Sequence, residues 1–304
     1  MKNSEKSGER LGRWVTFLTL LVLSFAAPLR GMDWPSNEAW MASNFGTNDG
    51  GNPVIGTIWT GQGVVRSAET GELLFDRNVN NADRLPSPLG AWIALDHGDG
   101  LISIYARLDE NKDLSLPVTV EKGMVIGGTG DSGWSNQSGF YFLLFDRKER
   151  RYVNPAMIIQ PIPDVKPPVI QSVILKDSAG MTIDLTQKDK NSTVIKSINQ
   201  GTYTVFAAVF DGVDAGENML APFKLICSLN GLEVGAITFE TFFSRNGVLM
   251  VYRNGPVPVR TVYAEIPYLD LGVASFVRGQ TALEIIAQDI NENSQSAVFR
   301  INVE

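Results

Sequence analysis

Ile93-Ala94-Leu95-Asp96-His97-Gly98-Asp99-Gly100-Leu101-Ile102-Ser103-Ile104-Tyr105-Ala106-Arg107-Leu108 is the stretch on which the reading of this chain turns. Two β-rich apolar runs flank Gly98-Asp99-Gly100, where the backbone needs positive dihedral angles that glycine supplies at little cost. This is the signature of a β-hairpin. Similar short runs recur on either side, at 63–67, 140–145, 203–210, 223–228, 283–288 and 298–303, and no long stretch carries the 3.6-residue apolar period. The chain is therefore expected to be all-β.

The composition breaks once, at Gln160-Pro161-Ile162-Pro163-Asp164-Val165-Lys166-Pro167-Pro168. Four prolines remove backbone donors and disfavour helix, so residues 161–168 are expected to form a linker between two domains. From 169 to 304 the runs are spaced by turn signals such as Asn230-Gly231, Asn246-Gly247 and Asn254-Gly255, a pattern that suits an immunoglobulin-like β-sandwich. The sole cysteine, Cys227, excludes an intrachain disulfide. Asp289, Asn291 and Asn293 are read as bonding the last hairpin turn rather than as calcium ligands.

Ahead of these segments, Lys2, Lys6, Arg10 and Arg13 precede the apolar run Trp14 to Ala27, with small residues at Ser24 and Ala26. This reads as a signal peptide over 1–27, too short for the roughly 20 residues a membrane-spanning helix needs, although an uncleaved anchor is the alternative. Export to the periplasm or cell envelope follows from it, with membrane contact only through this segment if it is retained. The formal net charge of −7 and the lack of a basic patch argue against nucleic-acid binding.

Five stretches occur in the order found in the lysostaphin-type, LytM-like zinc metallopeptidases. Phe45-Gly46, Val65 to Leu73, the hairpin ending in Tyr105-Ala106-Arg107-Leu108, Val120 to Gly130, and Val153-Asn154-Pro155 each resemble a family segment. The resemblance implies a β-rich peptidase-like domain over about 40–160. In the family a His, an Asp and a second His hold zinc, and further histidines assist hydrolysis of peptidoglycan cross-bridges.

Carried over position by position, the resemblance puts Asn52 where the first ligating His stands and Gly56 where the Asp stands. Phe140 then replaces an assisting His, Phe142 the second ligating His, and Arg107 the assisting His of the hairpin. Catalytic zinc is held by three lone-pair donors plus water, and none of these side chains is a credible donor. Zinc is therefore expected to be absent, with no cofactor in its place and no catalytic residue. His97 is the single histidine in the chain and is read as a turn residue bonding Asp96 or Asp99. Nothing in the spacing of Asp49, Asp96, Asp99 and Asp131 argues for convergence on a cation.

The aromatic replacements admit two readings. Phe140, Tyr141 and Phe142 with Trp59 and Trp134 form a groove for peptide or sugar, or the rings fill the former metal cavity as core. Arg107 beside such a groove is a candidate partner for a carboxylate. The functional expectation is a pseudoenzyme that binds peptidoglycan or regulates a wall hydrolase. An active zinc endopeptidase with unorthodox ligands and a surface adhesin or scaffold are the alternatives.

Overall fold

The structure, a computed structural model, describes residues 31–77, 86–110, 115–135, 137–186, 196–212 and 219–304. The leader expected at 1–27 lies outside the described residues. Among the described residues no helix is long and apolar enough to cross a membrane. Among the described residues the helices are one 3₁₀ turn, Pro155–Met157, and one short α-helix, Val259–Val262; the remaining regular structure there is β.

The Ile93-to-Leu108 stretch folds as expected. Ala91–Asp96 and Leu101–Leu108 pair antiparallel, and Gly98, Asp99 and Gly100 all have positive φ at the connection. This hairpin is the middle of the largest sheet, in which Gly71–Arg77 flanks it on one side and Gly139–Asp146 on the other. The free edge of Gly139–Asp146 is shared: Thr57–Thr60 pairs with its first half and Arg151–Val153 with its last.

Side chains alternate faces along a strand, and the pairings carry that alternation across the sheet. One face presents Phe140, Phe142 and Leu144, opposite Trp59, Tyr105 and Ser103 respectively, all buried. A two-stranded sheet of Val64–Arg66 and Val125–Gly128 contributes Val65 and Ile126 to the same core. Met32, Ala39 and Ile159 also pack there, so residues 32–39 belong to this module, ahead of the 40–160 range read from the sequence. Asp33 and Arg66 anchor that segment through Asp33 N–H to Ala68 O and Arg66 N–H to Pro35 O.

Most strands of residues 169–304 build two sheets. One consists of Thr182–Asp184, Val169–Asp177, Gly201–Phe210 and Leu269–Phe276; the other orders Lys196–Ile198, Ser294–Val303, Gly279–Gln288, Lys224–Leu229 and Leu232–Thr238. Alternating apolar residues such as Val173, Leu175, Val205, Leu283 and Ile285 fill the space between them. Asn230-Gly231 and Asn246-Gly247 form two-residue connections with positive φ at both positions, as their composition requires. Cys227 is buried in this core, and burial pushes its thiol up to about 12, which leaves it unreactive as a thiolate at neutral pH.

The 161–168 stretch does not separate the two modules in space. Thr241–Arg245, Val248–Tyr252 and Pro256–Pro258, read from the sequence as part of the sandwich, extend the first sheet through Arg151–Val153. Conversely, Phe45, assigned to the peptidase-like domain, is buried in the second core and stacks on Phe242 at 4.7 Å. Asn154 N–H donates to Glu240 O and its Nδ2 to Phe239 O, while the Tyr263 hydroxyl donates to Gly46 O. Gly31–Glu304 is accordingly one compact unit. Exchanged strands bury backbone polar groups that two separate edges would expose.

Candidate functional site

Phe140 and Phe142 stand on the closed face of the large sheet. Phe140 is 1% exposed and stacks on Trp59 at 5.6 Å with planes 6° apart; Phe142 is wholly buried and meets Tyr105 at 5.2 Å. Trp59 packs in turn against Trp34, and its indole N–H donates to the Thr57 hydroxyl. Of the two readings of these rings, core is the one the structure gives. Trp59 is therefore not a groove wall, and strand alternation points Tyr141 to the opposite face. Trp134 is 77% exposed in a separate turn. The groove expected from Trp59, Trp134 and Tyr141 does not assemble, because period-two geometry divides its members.

The residues that do converge lie on the other face. Gly56 sits directly over Gly139–Asp146. A Cβ built there would lie 2.2 Å from Phe142 O, 3.0 Å from Leu143 Cγ and 3.0 Å from Tyr141 Cε2. The Arg107 guanidinium lies over the Tyr141 ring at 5.3 Å. Arg107 reaches this place from a positive φ of 62°, an uncommon conformation for a residue with a side chain. Gly56, Arg107, Tyr141 and Leu143 thus share a face that excludes Phe140 and Phe142. Leu143 was not among the residues singled out from the sequence. Counting alternate residues from Tyr141, already next to the apolar pair, is the signal that finds it.

The chemistry of this cluster is narrow. Burial pushes the Tyr141 hydroxyl above the ordinary phenol range, with the Ile55 backbone hydrogen bond and the Arg107 charge opposing it. Tyr141 is accordingly a neutral phenol at physiological pH. Leu143 has no lone pair and Gly56 no side chain. Arg107 is a permanent cation whose Nε is buried without a hydrogen-bond partner, so the guanidinium holds unused donor capacity. Asn52 is exposed in the small Asn48–Asp49 and Asn52–Pro53 hairpin, opposite Asp49. A tetrahedral zinc site does not fit these side chains, which provide no set of three donors.

His97 lies elsewhere and is fully engaged. Its Nδ1 is 2.9 Å from Thr70 O and its Nε2 2.7 Å from Ser103 Oγ, so Nδ1–H donates to the carbonyl and Nε2 accepts from the hydroxyl. The expected partners Asp96 and Asp99 do not hold it; Asp96 Oδ1 instead accepts from Gly98 N–H. Burial lowers the His97 pKa, keeping the ring neutral. Asp49, Asp96, Asp99 and Asp131 do not gather: among the described residues, the one group of three metal-capable side chains is Asp164, Asp211 and Asp289.

Residues 58–155 match the model of Peptidase family M23, and 167–304 match a second family model. An uncharacterized protein of Treponema pallidum (strain Nichols) is 28% identical over 135 residues, covering 40% of this chain and 92% of its own. A Pseudomonas aeruginosa protein described as a peptidase of family M23 is 18% identical with a TM-score of 0.34. That match covers 43% of this chain and 51% of the other, so the chain spans about half the length of that relative. The antimicrobial peptidase lysostaphin from Staphylococcus simulans is 14% identical, with a TM-score of 0.36 over 73% of this chain and 85% of its own. At this distance the likenesses speak to neither substrate nor activity.

Proposed function

We propose that this chain is a non-hydrolytic relative of the M23 peptidases that works outside the cytoplasmic membrane, binding peptidoglycan or regulating a wall hydrolase. The observation that carries the reading is the composition of the face shared by Gly56, Arg107, Tyr141 and Leu143. A metallopeptidase needs a Lewis acid held by electron-pair donors. Here one position offers nothing, one a hydrocarbon, one a phenol and one a cation. The only imidazole, His97, has both nitrogens committed to Thr70 and Ser103.

The same face supports binding. The half-buried Arg107, its guanidinium over a neutral phenol, suits a carboxylate, which a guanidinium grips with paired, charge-assisted hydrogen bonds. Stem peptides of peptidoglycan carry such carboxylates, and so do acidic segments of a protein partner.

The test is retention of the purified full-length chain on isolated sacculi, with a parallel assay of wall hydrolases with and without it. Retention or a changed hydrolase rate, lost in Arg107→Gln and without clearing of the wall, is the expected result. Chelator-sensitive cleavage of cross-linked wall peptides overturns the proposal in favour of an active endopeptidase.

A further inference from the structure

Three carboxylates meet where the proline-rich stretch crosses the end of the sandwich. Asp164 lies in that stretch, Asp211 follows Gly201–Phe210, and Asp289 follows Gly279–Gln288. One carboxylate oxygen from each falls within 4.8 Å of the others. Their sequence separations are large, so only the closed fold brings them together.

A cluster of acids is unremarkable at a surface, where water separates the charges. Here two of the three are buried. Asp289 is 2% exposed and Asp211 is 7% exposed. Asp289 is satisfied by the turn, since Asn293 donates its backbone N–H to Oδ1 and its Nδ2 to Oδ2. Asp211 differs: its Oδ1 is buried with no hydrogen-bond partner, as is Asp164 Oδ2. A buried carboxylate oxygen left without a donor is costly, and such groups in folded proteins call for an ion, a water or a function. Among the described residues, the charges acting on Asp211 are those of Asp289 and Asp164, both of its own sign.

We propose that Asp164, Asp211 and Asp289 bind one hard divalent cation of the calcium class, which pins the 161–168 stretch to the end of the sandwich. All three donors are carboxylate oxygens, the ligand chemistry of hard cations; thiolate and imidazole, which softer metals favour, are missing from the group. Calcium is preferred over magnesium because the donors come from a turn, a strand end and a proline-rich segment. Such a set adapts to irregular coordination more readily than to a strict octahedron. The surroundings are already built to hold the donors in place. Asn293 Nδ2 also donates to Asp164 O, and Asn291 Nδ2 donates to Ile162 O, fastening the proline-rich stretch to the hairpin. Asp164 and Asp211 line a cleft together with Trp34, Phe45, Ile162 and Asn291, which gives an ion a route to the carboxylates. The inference is independent of the reading of the Arg107 face.

The experiment is calorimetric titration of calcium chloride into chelator-stripped full-length protein, with thermal melts in excess chelator and in millimolar calcium. One calcium ion per chain and a Tm raised by calcium are expected, because an ion that binds only the folded state stabilises it. Asp211→Asn should weaken binding at least about tenfold and abolish the Tm rise. Asp164→Asn, at a half-buried position outside regular structure, should do the same and keeps the test alive if the first variant does not fold. No calcium binding by the unaltered protein at millimolar concentration overturns the proposal. So does calcium binding at full strength in both folded variants, or magnesium bound more tightly than calcium.

Discussion

The two faces of Gly139–Asp146 use one strand for opposite purposes. Phe140, Phe142 and Leu144 are locked between Trp59, Tyr105 and the small sheet around Val65 and Ile126, whereas Tyr141 and Leu143 look toward Gly56 and Arg107. The residues are all apolar or aromatic, and a linear reading treats them as one patch. What separates them is a translation of one residue, which in a strand exchanges core for display. Hydrophobic side chains next to each other in sequence thus give no licence to infer a common surface.

The comparison can be broken most forcefully at Phe142. Phe142→Ala removes a wholly buried ring and should cost about 3–5 kcal/mol in denaturant unfolding. Phe142→His tests the same point chemically: an imidazole there faces Tyr105 inside the core, so the variant should be destabilised and should acquire no stoichiometric zinc. If Phe142→Ala unfolds like the unaltered protein, the division of faces is wrong.

A smaller loss is expected from Gly56→Ala. The added Cβ would sit 2.2 Å from a backbone carbonyl, which cannot step aside as a flexible side chain can. Overpacking of this kind costs about 1–3 kcal/mol, and a midpoint shift in urea of matching size is the measurement. A neutral effect would mean that the segment before Thr57–Thr60 lies farther from the strand than the structure places it.

The smallest effect concerns His97, which bonds Ser103, a neighbour of Leu144 on the closed face. Its folded pKa is lowered, so the unfolded chain takes up a proton first. The contribution to stability is full above the ordinary value of 6.5 and is lost as the pH falls below it through the folded value. Melts across that range should show stability falling toward acid, and His97→Gln should remove that component of the slope. Stability that rises toward acid in the unaltered protein but not in the variant would reverse the sign assigned to this ring.

Much of the scaffold was legible in the chain alone. Period-two runs, Asn-Gly turns and Gly98-Asp99-Gly100 specify strands and hairpins locally, and each strand named from the sequence has a counterpart within a few residues in the structure. The single histidine likewise limits what any arrangement of the chain can do with a metal, because a count is unaffected by folding. Asp289 and Asn293 bond each other across the turn, over four residues, as the sequence suggests, whereas the long-range bond of Asn291 to Ile162 O is not legible there.

Other features depend on which edges and faces find each other. The sequence does not say that residues 241–258 leave the sandwich to extend the first sheet, or that Phe45 crosses into the second core, because strand edges are chemically alike and their pairing is chosen by the whole. It does not separate Phe142 from Leu143, since register is fixed by partners far along the chain. Nor does it bring Asp164 and Asp211 to Asp289. Local chemistry determines the pieces of this protein, and long-range closure decides which side chains end up sharing a dielectric, a face or an ion.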